Sequence, residues 1–263
     1  KEMKIKEKID EIAKNKKIGL MGHIIAGFPN IETSYLAAIA VGGGGVDLLE
    51  VQFPFSDPTA DGPTIEGACY EALSNGFKIA DGFELVKRVT TTLTIPILIM
   101  TYSNIVFKYG VEKFVKKSKE SGVSGLIVPD LPLENDEGLN KYCQNYGIDN
   151  IFVVAPGCSK DRIKKLSQNG SAFLYTVARR GITGKKTEID SSVTEWLKLV
   201  KENSVLPIAT GFGIQSKAQI DELITKSDIA VVGSYFVNAI KDAFQKGLDL
   251  KTTLSNLTKN LIG

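Results

Sequence analysis

Short apolar runs rich in Ile, Val and Leu recur along the chain, separated by longer stretches whose charges fall at helical spacing. The runs predict strands near Leu20–Ala26, Val46–Val51, Ile95–Met100, Gly125–Val128, Ile151–Val154, Phe173–Val177, Leu206–Thr210 and Ile229–Val232, about eight in all. The stretches between them read as amphipathic helices. "EKFVKKSKES" and "DRIKKLSQNG" are examples, each followed or closed by a glycine in the manner of a C-terminal cap. Pro96 and Pro207 stand at strand starts, where a missing N–H is tolerated. In the opening segment "KEMKIKEKIDEIAKNKK", Ile5, Ile9 and Ile12 share one helical face while lysines alternate with acids on the rest, so a solvated helix face is expected.

Alternating strands and helices with continuously apolar strands argue for a parallel sheet. Roughly eight such units in roughly 250 residues is the size of a (β/α)8 barrel, with a doubly wound sheet as the alternative. No linker or shift of composition divides the chain, so residues 1–263 are read as one α/β TIM-barrel domain with an extra N-terminal helix and extra helical insertions. The connection from Phe53 to Thr94 is long enough to hold an additional helix. In a barrel the chemistry sits at the C-terminal ends of the strands. Strand alternation would put Val46, Leu48, Glu50 and Gln52 on one face, the polar pair at that end.

Composition narrows the classes. The chain has 263 residues, 43% hydrophobic and 24% charged, with a formal net charge of only +2, which offers no electrostatic footprint for nucleic acid. No apolar run is long enough to span a membrane, and the charged N-terminus lacks a signal peptide's apolar core. Cys69, Cys143 and Cys158 are odd in number and widely spaced, so reduced thiols in a cytoplasmic protein are expected. Sequons at Asn169 and Asn256 are read as chance. No cluster of Cys, His and carboxylate suggests a metal. The single histidine, His23, falls inside the first strand and is expected to be a core residue rather than a base.

The stretch "LLEVQFPFSDPTADGPTIEGA" concentrates the candidate chemistry. A strand that should be buried ends in Glu50, and Asp57 and Asp61 follow closely. Burying a carboxylate is costly unless it is paired or used. Turn or cap roles for Asp57 and Asp61, and a structural Glu50 paired to a Lys or Arg, compete with proton chemistry by Glu50 and one aspartate. Later, glycines follow three strands directly, in "RRGITGKKT", "TGFGIQS" and "VVGSYF". Loops after the seventh and eighth barrel strands often hold phosphate through backbone N–H groups. Gly211, Gly213, Gly233 and Ser234 fit that description. "GKKT" lacks P-loop spacing, and "VGGGGVD" precedes a strand rather than following one, so neither is a nucleotide fingerprint.

"PFSDPTADGPTIEGA", preceded by "GVDLLE" and followed in order by "TYSNIVFKYG", "GLIVPDLP", "RRGITG", "GFGI" and "VVGS", resembles the tryptophan synthase α subunit family from about Ile18 to Phe236. The resemblance implies a lyase that cleaves indole-3-glycerol phosphate to indole and glyceraldehyde 3-phosphate by retro-aldol chemistry. It implies Glu50 as general acid/base and Asp61 as the carboxylate facing the indole N–H. Tyr175 would lie near the substrate, and Thr183 would belong to a loop that closes toward Asp61. Gly184, Gly213, Gly233 and Ser234 would bind the phosphate. Phe212, Ile65, Met100 and Val231 lie beside these positions in the chain and could flank an indole, or serve as ordinary core. No cofactor is implied on this chain, because the family's pyridoxal phosphate belongs to the partner β subunit of an α2β2 assembly. Loops near Phe53–Ala60 and Arg179–Thr187 would order on substrate and partner binding.

Three departures stand out. Gln52 occupies a position where a small residue is more familiar, "AGFPN" replaces a Gly-Asp-Pro, and Ala178 replaces a Ser. Arg179 and Arg180 could reach phosphate or an acidic partner, with solvent exposure the plainer reading. Two other functions remain open at this point: a stand-alone lyase releasing free indole, and a phosphate-ligand-binding subunit that regulates the β chain.

Overall fold

The computed structural model describes residues 4–177, 189–211 and 213–263. The apolar runs form nine strands: β1 (Gly19–Ile25), β2 (Leu48–Gln52), β3 (Ile97–Met100), β4 (Gly125–Ile127), β5 (Asp149–Ile151), β6 (Val153–Val154), β7 (Leu174–Val177), β8 (Ile208–Gly211) and β9 (Ile229–Val232). All pairings are parallel, in the order β5-β4-β3-β2-β1-β9-β8-β7-β6. β5 and β6 are separated only by Phe152 and act as one stave. Its carbonyls at Asn150 and Phe152 accept from Ser171 N at 3.1 Å and Tyr175 N at 2.9 Å, which ties β5 and β6 to the β7 side and closes the barrel. Nine strands therefore make the eight staves expected of a (β/α)8 barrel, not a doubly wound sheet. Every residue of β1, β2, β3, β4 and β9 is buried, as expected when a parallel sheet has a core on both faces.

Pro96 and Pro207 immediately precede β3 and β8. Neither has an N–H to lose from the ladder, yet both carbonyls join it, accepting from Leu49 N at 3.1 Å and Leu174 N at 2.9 Å. The sequence pattern starts both strands too early for this reason: Ile95 and Leu206 are apolar but lie before the proline. Val46 also lies before its strand. It packs with Leu49 and Val51 in the outer core, whereas Leu48 faces the barrel interior, so the expected common face begins at Leu48.

Two apolar layers result. The larger lies between the strands and the surrounding helices. The smaller fills the barrel and includes Met21, Leu48, Leu98, Ile127 and Ile229, together with Ile5, Ile9 and Ile12. The N-terminal helix (Ile5–Asn15) thus plugs the barrel floor with its apolar face. Gly19 and Gly125 make room for it: a Cβ at either would lie 2.6 Å from Ile12 Cδ1 or 2.8 Å from Ile5 Cδ1. The connection between β2 and β3 holds two helices, Pro63–Ser74 and Ile79–Thr92, one beyond the usual repeat. Gly122 takes a left-handed φ of +80° after the helix Val111–Glu120, as a capping glycine should, whereas Gly170 is extended at φ −83°. Among the described residues no helix is long and apolar enough to cross a membrane.

Candidate active site

The C-terminal ends of the strands surround a pocket of about 690 Å³, counting its open mouth. Met100, Ile127, Val177 and Gly211 line it from the last positions of β3, β4, β7 and β8. Ile65 and Val231 complete an apolar wall, and Gly213, Gly233 and Ser234 sit at one side. Glu50, Asp61 and Tyr175 also line it. The described residues that the resemblance implied as a site are thus gathered in one cavity, whereas Gln52 and Asp57 do not line it. Thr183, Gly184 and Phe212 lie outside the described residues, as does the whole Arg179–Thr187 loop with Arg179 and Arg180.

Glu50 is 2% exposed. Among the described residues no lysine or arginine pairs with it; its partner is His23, whose Nδ1 lies 3.1 Å from Glu50 Oε1. His23 is buried within β1 as expected, and it also lines the pocket. Parallel pairing sets His23 directly beside Glu50 in register. Burial alone pushes the imidazole pKa down, but the Glu50 carboxylate, the Asp61 charge and the Gln52 amide outweigh it, leaving the net shift upward. The cue was present in the sequence. A polar side chain inside an apolar parallel strand is as costly as the glutamate at the end of the next one.

Asp61 is neither a helix cap nor a free turn residue. The following helix is capped by Gly62 and begins with Pro63. Asp61 Oδ2 accepts from Gln52 Nε2 at 2.7 Å and from the Tyr102 hydroxyl at 2.8 Å. The Tyr102 oxygen in turn accepts from Ala60 N at 3.1 Å, so the tyrosine ties this loop to the end of β3. Burial raises the Asp61 pKa, and the favourable charge of His23 and the two hydrogen bonds offset this only in part. Gln52, the unfamiliar residue of the strand, is therefore a donor to a candidate catalytic carboxylate. Tyr175 is held protonated, its pKa raised first by burial and then by the charges of Glu50 and Asp61.

Four buried side-chain polar atoms have no hydrogen-bond partner among the described residues: His23 Nε2, Glu50 Oε2, Gln52 Oε1 and Thr101 Oγ1. Native interiors rarely leave such groups unpaired, and the first two belong to residues lining the pocket. The helix Ser234–Lys246 starts directly beyond β9, and among the described residues no side chain caps its first turn. Its free N–H groups suit an anion. Gly213 contributes a left-handed turn, φ +77°. No lysine or arginine is among the described residues lining the pocket; what these residues offer an anion is backbone N–H groups. Among the described residues no group of three or more His, Cys, Asp or Glu is placed to hold a metal ion.

The arrangement can exchange a proton at Glu50, stabilise positive charge at Asp61, enclose a flat apolar group and hold an anion. Comparison with known proteins points the same way. The sequence profile of the tryptophan synthase alpha chain matches residues 9–261. The tryptophan synthase alpha chain of Helicobacter hepaticus is 46% identical over 229 residues, 85% of this chain and 86% of that protein. That of Methanosarcina acetivorans is 41% identical over 261 residues, 99% of this chain and 94% of the relative. Among solved structures, Mycobacterium tuberculosis tryptophan synthase superposes with a TM-score of 0.89 at 30% identity, covering 99% of this chain and 97% of the other. A mutant tryptophan synthase α-subunit from Pyrococcus furiosus gives a TM-score of 0.85 at 30% identity, covering 93% and 98%. Sequence and fold agree over almost the whole length, and the chain belongs to the tryptophan synthase alpha chain family.

Proposed function

We propose that Glu50 and Asp61 divide the proton and charge chemistry of the lyase half-reaction of this family, the cleavage of indole-3-glycerol phosphate in tryptophan biosynthesis. The observation that carries the assignment is Glu50 Oε2, a buried carboxylate oxygen of a pocket-lining residue with no hydrogen-bond partner among the described residues. Indole C3 is a poor leaving group until it is protonated. Glu50 delivers a proton to C3 and takes one from the hydroxyl on the adjoining glycerol carbon. The C3–carbon bond then breaks, giving indole and the aldehyde of glyceraldehyde 3-phosphate. Protonation at C3 places positive charge on the ring nitrogen, and the fixed Asp61 carboxylate stabilises it.

Ile65, Met100, Val231 and Tyr175 enclose the indole, and Gly213, Gly233 and Ser234 cradle the phosphate, which orients the reacting end. Thr183, Gly184 and Phe212 are assigned with them on the resemblance alone. Every step is a proton transfer or a bond cleavage, so the proposal calls for no cofactor on this chain, and pyridoxal phosphate resides on the β subunit. The family works with a β subunit. We extend this to an α2β2 assembly of this chain in the cytoplasm.

The test is indole release from indole-3-glycerol phosphate by the purified chain, alone and with a β subunit, beside Glu50→Gln. Slow release that rises strongly with the partner, and a loss of about 10²-fold or more in the variant, is the expected result. Turnover near wild type in a folded Glu50→Gln protein removes the acid/base assignment. Fast release without the partner replaces the coupled enzyme with a stand-alone indole producer.

A further inference from the structure

We propose that His23 is a positioning residue for Glu50: it fixes one carboxylate oxygen so that the other carries the exchangeable proton and faces the substrate. The inference rests on the acid/base role of Glu50 argued above and extends it to a residue outside that assignment.

The geometry is specific. His23 and Glu50 are register partners on adjacent parallel strands, so their side chains leave neighbouring backbones at the same height. Nδ1 reaches Oε1 at 3.1 Å. Among the described residues the other ring nitrogen, Nε2, has no hydrogen-bond partner. Glu50 Oε2 likewise has no hydrogen-bond partner among the described residues. A histidine kept for packing would bury two nitrogens to no purpose in a layer otherwise filled by Met, Leu and Ile. The ring lies beside Gly233, where an added Cβ would meet its Cβ, Cγ and Cδ2 atoms at 3.7 Å.

The chemical consequence follows from the direction of the hydrogen bond. With Nδ1–H donating to Oε1, a proton taken up by the carboxyl group resides on Oε2. That is the oxygen left for the substrate, so the same atom gives a proton to indole C3 and accepts one from the glycerol hydroxyl. Without the histidine the carboxyl group can turn about its terminal bond, and the proton has two sites of which one is unproductive. The titratable groups facing the pair are Asp61 on the loop after β2, Tyr102 after β3 and Tyr175 on β7.

His23 is the only histidine in the chain, so its imidazole signals in an NMR spectrum of the intact protein need no assignment. Two measurements test the proposal. The first compares kcat and KM for His23→Phe and His23→Asn, the amide of the latter supplying a donor near the position of Nδ1. Expected is a fall in kcat of about 10- to 100-fold for His23→Phe, with KM within a few-fold and most of the loss recovered in His23→Asn. The second follows the imidazole titration in wild type and in Glu50→Gln, where the midpoint falls when the carboxylate is removed. The proposal is overturned by a His23→Phe enzyme with wild-type kcat, by a His23→Asn enzyme no better than His23→Phe, or by an unchanged titration in Glu50→Gln. The NMR arm decides the case even where His23→Phe does not fold. An inactive Glu50→Gln beside a fully active His23→Phe defeats this inference alone, whereas an active Glu50→Gln defeats the acid/base assignment itself.

Discussion

Replacing Tyr102 by Phe isolates the support of Asp61. The ring is 1% exposed and stacks on Phe55 at 5.4 Å between centroids, and phenylalanine keeps that packing. What is lost is one oxygen with two bonds, the donation to Asp61 Oδ2 at 2.8 Å and the acceptance from Ala60 N at 3.1 Å. Ala60 is exposed, so its N–H turns to water at little cost. The bond to the carboxylate is charge-assisted, worth about 1.5–3 kcal/mol. Asp61 is partly exposed at the pocket mouth, which places the loss near the lower end, about 2 kcal/mol at neutral pH.

The Asp61 pKa is raised in the folded protein, so the native state holds this proton more tightly than the unfolded chain. Its contribution to stability is fully present below the ordinary value of 3.8 and is lost as pH rises through the folded pKa. Removing the Tyr102 donor raises that pKa further, so the penalty of Tyr102→Phe must grow with pH. It approaches about 1 kcal/mol, the value of a neutral bond, where Asp61 is protonated. Urea unfolding of both proteins at neutral pH and at the lowest pH where they remain folded measures this. Thermal unfolding at neutral pH should fall by about 4–8 °C. Equal penalties at both pH values, or a larger one in acid, refute the assignment of Asp61 as a carboxylate stabilised by this hydroxyl.

Ile5→Ala removes a fully buried side chain from the barrel floor and should cost about 2–5 kcal/mol in urea unfolding. Activity per folded molecule should hold, because the pocket is at the other end of the barrel; a lost activity with unchanged stability contradicts the plug. Thiol reactivity gives a separate check. Burial pushes Cys69 and Cys143 up to about 12, while Cys158 is only partly buried. A thiol reagent should therefore titrate Cys158 in the native protein and the other two only on unfolding. Three equally fast thiols would contradict the packing of the helices that carry Cys69 and Cys143.

The strand–helix alternation was legible because parallel strands buried on both faces leave continuous Ile/Val/Leu runs that charged helices cannot imitate. The break at Phe152 was not, since Phe152 is as apolar as its neighbours and only hydrogen-bond partners on opposite sides divide β5 from β6. Glu50 and Asp61 were legible from the cost of burying charge at a strand end. His23 was passed over although the same cost applies to it, because its partner lies 27 residues later and becomes adjacent only through parallel register. Gln52 looked like a departure for a similar reason. Its hydrogen bond runs to Asp61 across a loop whose path no periodicity reveals.

The plugged floor bears on the order in which the molecule can assemble. Ile5, Ile9 and Ile12 precede every strand in the sequence, yet the layer they complete reaches to Val231. This helix thus finds its seat only when the last staves have closed around it. Such sequence-distant contacts reward the chain late and slow its folding. Until then an amphipathic helix with a bare isoleucine stripe must wait beside a half-built barrel, the surface that chaperones recognise and aggregates exploit.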